Sequence, residues 1–499
     1  MKKIAIILAV LLTFQASAQN AVQTYVDQLK STEELKEAVW GIKAAKIGGK
    51  QIAGHNGQIR MMPASNMKLI STGLVLNELG GDFRFRTRIA YSGELNDGVL
   101  DGDLYIVGGG DPTIGARDSV ATELQSTFSQ WEKIIREAGI TRIEGRIIGD
   151  GRFFDGEAQN YAWQLEDSAT GDGTVIPGLS FGGGLQSFSI TPGARTGDPV
   201  KIEAVYPETP WMTWTHTAVT SAAGTGDNLY YSCTEIAPIA SMTGSIGLDI
   251  KPKRITCANC FGAMTCAFTF YRYLENKGII ATEGPTDIDA AGIIRNFSTE
   301  EETLKAEAQD RLHFIGETFS APLKDIVRQT NCDSNNYYAE AMLRTLAKEK
   351  KGSACYSSCQ SVMLDALKRL GVTGAEKMQF VDGSGLARKD YVSPDFFVRF
   401  LSAMQKSPEW QNYLRSLPKP GHGTLASRMV NASESTRSRV YMKSGSMNGV
   451  RCFSGYILPR SGKPEDIIVF SFLTNNTVVA ASRMNFIIDK TVGLMAEEN

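Results

Sequence analysis

Apolar positions recur with different periods along the chain, and the periods separate it into distinct stretches. Met67, Ile70 and Leu74 fall at helical spacing within Lys68-Leu69-Ile70-Ser71-Thr72-Gly73-Leu74-Val75-Leu76, which predicts a mostly buried helix beginning at Ser65. Tyr337-Tyr338-Ala339-Glu340-Ala341-Met342-Leu343 predicts a second helix and Ser361 to Leu370 a third. Toward the C-terminus the period changes. Val440 and Met442 alternate with Arg439, Tyr441 and Lys443 as in a half-buried strand, with Lys443 at its end. Beyond Ser446-Met447-Asn448-Gly449, the run Cys452 to Leu458 reads as the hairpin partner, and Ile467-Ile468-Val469-Phe470-Ser471-Phe472 as a terminal strand. Residues 19–85 and 262–499 thus predict one α+β unit, an antiparallel sheet flanked by helices. The intervening 86–261 is glycine-rich and strand-like, with one clear helix from Ser119 to Ala138, and reads as an insertion without legible internal boundaries.

Composition adds a cellular setting. The 499 residues are 42% hydrophobic and 21% charged, enough for two or three globular domains. Met1-Lys2-Lys3, the apolar run Ile4 to Phe14 and the small-residue site Ala16-Ser17-Ala18 have the form of a secretory signal, so residues 1–18 are expected to be removed and the mature chain to begin at Gln19. The apolar run is too short to span a bilayer and no later stretch does better, which predicts export without a membrane anchor. The formal net charge is -2, or -4 once Lys2 and Lys3 are subtracted, and offers no basic excess for a nucleic-acid partner. Eight cysteines in an exported chain favour disulfides whose pairing the sequence does not reveal. Cys257-Ala258-Asn259-Cys260 has metal or redox spacing, yet no second C-x-x-C follows and the chain has four histidines; no metal site is expected. Cys266, inside the helical pattern Thr265 to Leu274, reads as core.

The chemistry lies in three short strings in fixed order: Ser65-Asn66-Met67-Lys68, Ser334-Asn335-Asn336 and Lys443-Ser444-Gly445. Each alone has a plain structural reading: a polar residue with a lysine one turn on, a helix cap, and a loop. Together they supply a nucleophile, a base and a cation. Residues three apart share a helix face, so Lys68 can place its amine beside the Ser65 hydroxyl. A serine needs such a base, and a lysine serves only when burial or a second cation, for which Lys443 is the candidate, lowers its pKa. Ser334 and Asn336 would project from the leading turn of the Tyr337 helix.

In these strings the chain resembles the class C low-molecular-mass penicillin-binding proteins, the D-alanyl-D-alanine carboxypeptidase/endopeptidase family. The likeness extends to Gly102-Asp103-Leu104-Tyr105-Ile106-Val107-Gly108-Gly109-Gly110-Asp111-Pro112-Thr113, to Asp382-Gly383-Ser384-Gly385-Leu386, and to Leu417-Pro418 leading into Gly423-Thr424-Leu425. Ser444 replaces the usual threonine and keeps the hydroxyl. The resemblance implies a penicillin-binding/β-lactamase-like transpeptidase fold, with the insertion forming one or two extra domains. It implies a periplasmic, cofactor-free serine hydrolase of peptidoglycan stem peptides that β-lactams acylate. It also implies roles: Ser65 as nucleophile, Lys68 as its base, Ser334 as proton relay, and Asn336 orienting Lys68 and holding a substrate amide. Lys443 and Ser444 would bind the terminal carboxylate, with Gly445 beside them, and the N–H groups of Ser65 and Ser446 would face the oxyanion.

Other signals compete. Glu166-Asp167 fits the acidic residue that in this family faces the diamino acid of the stem peptide, with Asp167 the candidate, and equally a solvated acidic pair. Gly178-Leu179-Ser180-Phe181-Gly182 matches the G-x-S-x-G elbow, but that elbow needs a following helix, and Gly183 to Ile190 reads as loop then strand. Gly108-Gly109-Gly110 lacks the Gly-Lys-Ser or Gly-Lys-Thr of a phosphate loop and reads as a turn. The same acyl-serine chemistry would also serve a β-lactamase, for which no dedicated deacylating carboxylate is visible, or a binding module that acylates without turning over.

Overall fold

The computed structural model describes residues 21–288 and 312–498, so the signal segment 1–18 lies outside the described residues. A five-stranded antiparallel sheet runs in the order Val440–Met447, Val450–Ile457, Ile468–Asn475, Val39–Lys46, Gln51–His55. Its central strand Ile468–Asn475 is buried on both faces, which is why Ile468 to Leu473 is apolar at every position but Ser471. Phe470 and Phe472 pack with Val22 and Val26 of the helix Ala21–Leu29 and with Met484 and Ile487 of the helix Ala481–Glu497. Val469 and Leu473 face the larger core beneath the helices Met67–Leu79, Asn336–Lys351, Tyr356–Arg369 and Pro394–Met404. Every residue from Met67 to Leu76 is buried, so the helix that starts beside Ser65 has neighbours on all sides.

The strand carrying Lys443 continues past it to Met447, and Lys443 pairs with Ser454 in mid-ladder. The sequence placed Lys443 at a strand end. The Asn448-Gly449 turn, with Gly449 at φ +72°, closes the hairpin four residues later and adds that length to the strand.

A second five-stranded sheet orders Gly284–Asp287, Arg146–Asp150, Leu104–Val107, Arg86–Tyr91 and His313–Phe319, mixed parallel and antiparallel. The helices Leu124–Glu137 and Gly262–Asn276 cover it through Phe128, Trp131, Cys266 and Phe270. Among the described residues, 262–288 and 313–319 pair and pack with the inserted sheet, although the sequence groups 262–499 with the flanking α+β unit. Apolar spacing fixed the helix but not which sheet it covers. Cys266 is core, as expected. Smaller sheets follow, among them Lys201–Tyr206, Leu185–Thr191 and Lys253–Ala258, whose middle strand alternates strictly between half-buried and buried residues.

Candidate active site

Ser65 lies in a single 3-10 turn, Ala64–Asn66, that leads into Met67–Leu79. Lys68, one turn on, is fully buried, and its Nζ donates to Ser65 Oγ at 3.0 Å, Asn336 Oδ1 at 2.5 Å and the Ser384 carbonyl at 2.8 Å. Asn336 is the first residue of its helix, and its Nδ2 donates to the Asp172 carbonyl at 3.2 Å, which fixes the amide with its oxygen toward Lys68. Asn335 caps the same helix, its side chain accepting from Tyr338 N at 3.0 Å. Ser334 stands between two helices in the left-handed region at φ +60°, a conformation that ends Leu323–Asp333 and turns its hydroxyl to Lys443. Lys443 Nζ donates to Ser334 Oγ at 2.8 Å and to the Ser444 carbonyl at 2.9 Å. Ser444 Oγ donates to Thr424 Oγ1 at 3.1 Å.

Gly445 brings the third string against the first. A Cβ there would stand 2.6 Å from the Pro63 carbonyl and 3.2 Å from Ser65 N, so only glycine lets the strand edge pass this close to the Ser65 turn. Ser65, Ser334, Asn336, Ser444, Gly445 and Ser446 line one cleft of about 510 Å³. The three strings, with Ser65 and Lys443 378 residues apart in the chain, thus converge on one opening.

Burial is the main cause of the Lys68 shift, lowering its pKa to about 8 against the opposing pull of Asp382, Glu340 and Asp172. Lys443 is held well below its ordinary value by burial first and then by Lys68. The expectation that Lys443 supplies the depressing charge gives way to burial, and the charges that act on Lys68, those of Asp382, Glu340 and Asp172, all raise it.

A loop invisible as chemistry in the sequence supports this arrangement. Glu340, fully buried, accepts from Gly383 N at 2.9 Å and Ser384 N at 2.7 Å, and so aims the Ser384 carbonyl at Lys68. Asp382 accepts from Gly385 N at 2.6 Å, Ala387 N at 2.7 Å and Trp163 Nε1 at 2.9 Å. Burial, then Asp382, pushes the Glu340 carboxyl up to about 8. The available signal for Glu340 was a charge inside an apolar helical run; for the Asp172 carbonyl, a backbone group, there was none.

Asp167 is not brought to this cleft. It caps its own four-residue helix Leu165–Ser168, accepting from Gln164 N at 3.2 Å, and burial raises its carboxyl. Its neighbour Glu166 pairs with Arg388 at 4.0 Å, just beyond the 382–387 loop. Ser180 is fully buried and runs into a 3-10 turn and the strand Leu185–Thr191, which is no nucleophile elbow. Gly108 and Gly109 let the chain pass close to its neighbours, where a Cβ would fall 2.4 Å from the Gly178 carbonyl and 2.0 Å from that of Arg86.

Known proteins share this arrangement of elements. A sequence profile of the D-Ala-D-Ala carboxypeptidase 3 (S13) family matches residues 22–497. A D-alanyl-D-alanine carboxypeptidase of an Actinomadura species is 28% identical, with 90% of this chain and 80% of the relative aligned. The D-alanyl-D-alanine carboxypeptidase DacB of Haemophilus influenzae is 22% identical over 94% of this chain and 93% of its own. The crystal structure of penicillin binding protein 4 from Haemophilus influenzae superposes with a TM-score of 0.79 at 19% identity, covering 96% of this chain and 99% of that one, which establishes the penicillin-binding fold. With its profile matched almost end to end, the chain belongs to the D-Ala-D-Ala carboxypeptidase 3 (S13) family and is a serine-type D-Ala-D-Ala carboxypeptidase.

Proposed function

We propose that Ser65 is the nucleophile and Lys68 its general base. The observation that carries this is the set of partners on the Lys68 amine: Asn336 Oδ1 and the Ser384 carbonyl can only accept, so a neutral amine donates its two protons to them and turns its lone pair to the Ser65 hydroxyl, 3.0 Å away. Ser65 Oγ attacks the carbonyl of the penultimate D-alanine and its proton passes to Lys68. The backbone N–H groups of Ser65 and Ser446 receive the oxyanion across the gap that Gly445 leaves open. As the C–N bond breaks, the Ser334 hydroxyl gives its proton to the departing amine and is replenished through Lys443, 2.8 Å behind it. Water then attacks the acyl-serine by the reverse path. Ser444, braced by Thr424, and Lys443 anchor the terminal carboxylate.

The same site serves a cross-link endopeptidase, in which the departing amine belongs to a neighbouring stem peptide, and reacts with β-lactams; the Haemophilus relative has been crystallised in complex with a β-lactam. Residues 1–18 direct export to the periplasm, and among the described residues no helix is long and apolar enough to cross a membrane. The inserted sheets shape access for large substrates. Steady-state release of D-alanine from a pentapeptide ending in D-Ala-D-Ala tests the reading: the intact protein turns over many equivalents and Ser65→Ala none. A single stoichiometric release followed by silence would instead mark a module that acylates and stops.

A further inference from the structure

All eight cysteines are free thiols in this structure, yet two of them are neighbours. Cys233 Sγ lies 3.3 Å from Cys260 Sγ, and both residues are partly exposed. Cys233 ends the strand Asp227–Cys233, and Cys260 follows the strand Lys253–Ala258 in a different sheet. Cys257, the other thiol of the C-x-x-C spacing, is buried in an apolar cluster with Phe188, Ile190 and Met242. The sequence motif therefore has its partner outside itself.

The turn around Cys260 is tied to the cleft. Ala258 N donates to the Ala169 carbonyl at 3.0 Å, Asn259 N to that of Gly184 at 2.8 Å, and the Thr174 hydroxyl to that of Asn259 at 3.5 Å. The segment 169–174 so held contains Asp172, whose carbonyl receives the Asn336 amide at 3.2 Å.

We propose that Cys233 and Cys260 form a disulfide that staples the strand Asp227–Cys233 to the turn holding segment 169–174 beside Asn336. Two thiols lose two protons and two electrons, and a disulfide donor such as glutathione disulfide accepts them to give two glutathione thiols. The sulfurs close to a bonding distance of about 2.05 Å by a small side-chain movement.

The test uses full-length mature protein, reduced and then incubated with glutathione disulfide, with free thiols alkylated before peptide mapping. The expected product is a peptide pair linked through Cys233 and Cys260, absent from Cys260→Ser and retained in Cys257→Ser. Hydrogen exchange at residues 169–174 is expected to slow several-fold on oxidation and to stay fast in Cys233→Ser. Alkylation of both Cys233 and Cys260 after oxidation, a persistent glutathione adduct on either, or a Cys257–Cys260 link would overturn the bond. Equal exchange in oxidised protein and Cys233→Ser would overturn the clamp. Penicillin acylation of Ser65 is read in parallel, so failure of the staple remains distinct from failure of the catalytic reading.

Discussion

In the proposed mechanism Lys68 is the base, and its environment sets a pH dependence. With its pKa lowered to about 8, Lys68 is charged below that value and can accept no proton from Ser65. The rate constant kcat/KM for D-alanine release should therefore rise with pH through an apparent midpoint near 8 and level off above it; a profile flat from pH 6 to 9 would count against Lys68 as the base. Glu340 raises the Lys68 pKa, so Glu340→Gln, which keeps an acceptor for the Gly383 and Ser384 amides, should move that midpoint to lower pH. Glu340→Ala leaves two buried N–H groups unpaired and should cost on the order of 1–3 kcal/mol for each, measured by denaturant unfolding. That Ser65, Lys68, Ser334, Asn336 and Lys443 come together was legible because each is a reactive type at a fixed offset. The Ser384 and Asp172 carbonyls were not, because every residue carries one and only tertiary placement gives it a role.

Helices and strands supply the placement. The strand Val440–Met447 brings Lys443 and Ser444 to the cleft only because Gly445 permits contact with the Ser65 turn. Gly445→Ala, with its Cβ 2.6 Å from the Pro63 carbonyl, should slow penicillin acylation at least tenfold, read by stopped-flow, while the hairpin still forms. A buried carboxyl lies just beyond the strand Leu104–Val107. Asp111 is buried there with its pKa pushed up to about 6 by burial, against the hydrogen bonds from Thr113. A carboxyl raised on folding favours the native state below its unfolded value and loses that advantage as pH rises through the folded one. Asp111→Asn, which does not titrate, should therefore gain stability relative to the parent between pH 4 and about 6 and hold it above, by on the order of 2–3 kcal/mol. Thermal unfolding at pH 4.5 and 7.5 compares the two, and a constant difference would contradict the assignment. Apolar spacing anticipated the helices at Met67 and Tyr337 and the C-terminal hairpin. It missed the length of the Lys443 strand, because Lys443 and Ser444 break the alternation while remaining within the ladder.

Across the molecule, the insertion is part of the site's support. Trp163 of the inserted segment donates to Asp382, and Asp172 of the same segment receives Asn336, so two of its residues reach the groups that hold Lys68. Trp163→Phe keeps the apolar body against Tyr356 and removes the donor; it should cost on the order of 1–2 kcal/mol in unfolding and slow acylation with it. The existence of an insertion was legible from its glycine-rich, strand-like composition. Which sheet Gly262–Asn276 and His313–Phe319 join depends on long-range pairing that no local period encodes. The central claim is that three strings remote in sequence act on one acyl-serine. Intact-mass analysis after incubation with benzylpenicillin should show a single adduct, and peptide mapping should place it on Ser65, with none on the Ser65→Ala protein. An adduct on any other serine, or one undiminished in Ser65→Ala, would contradict the account.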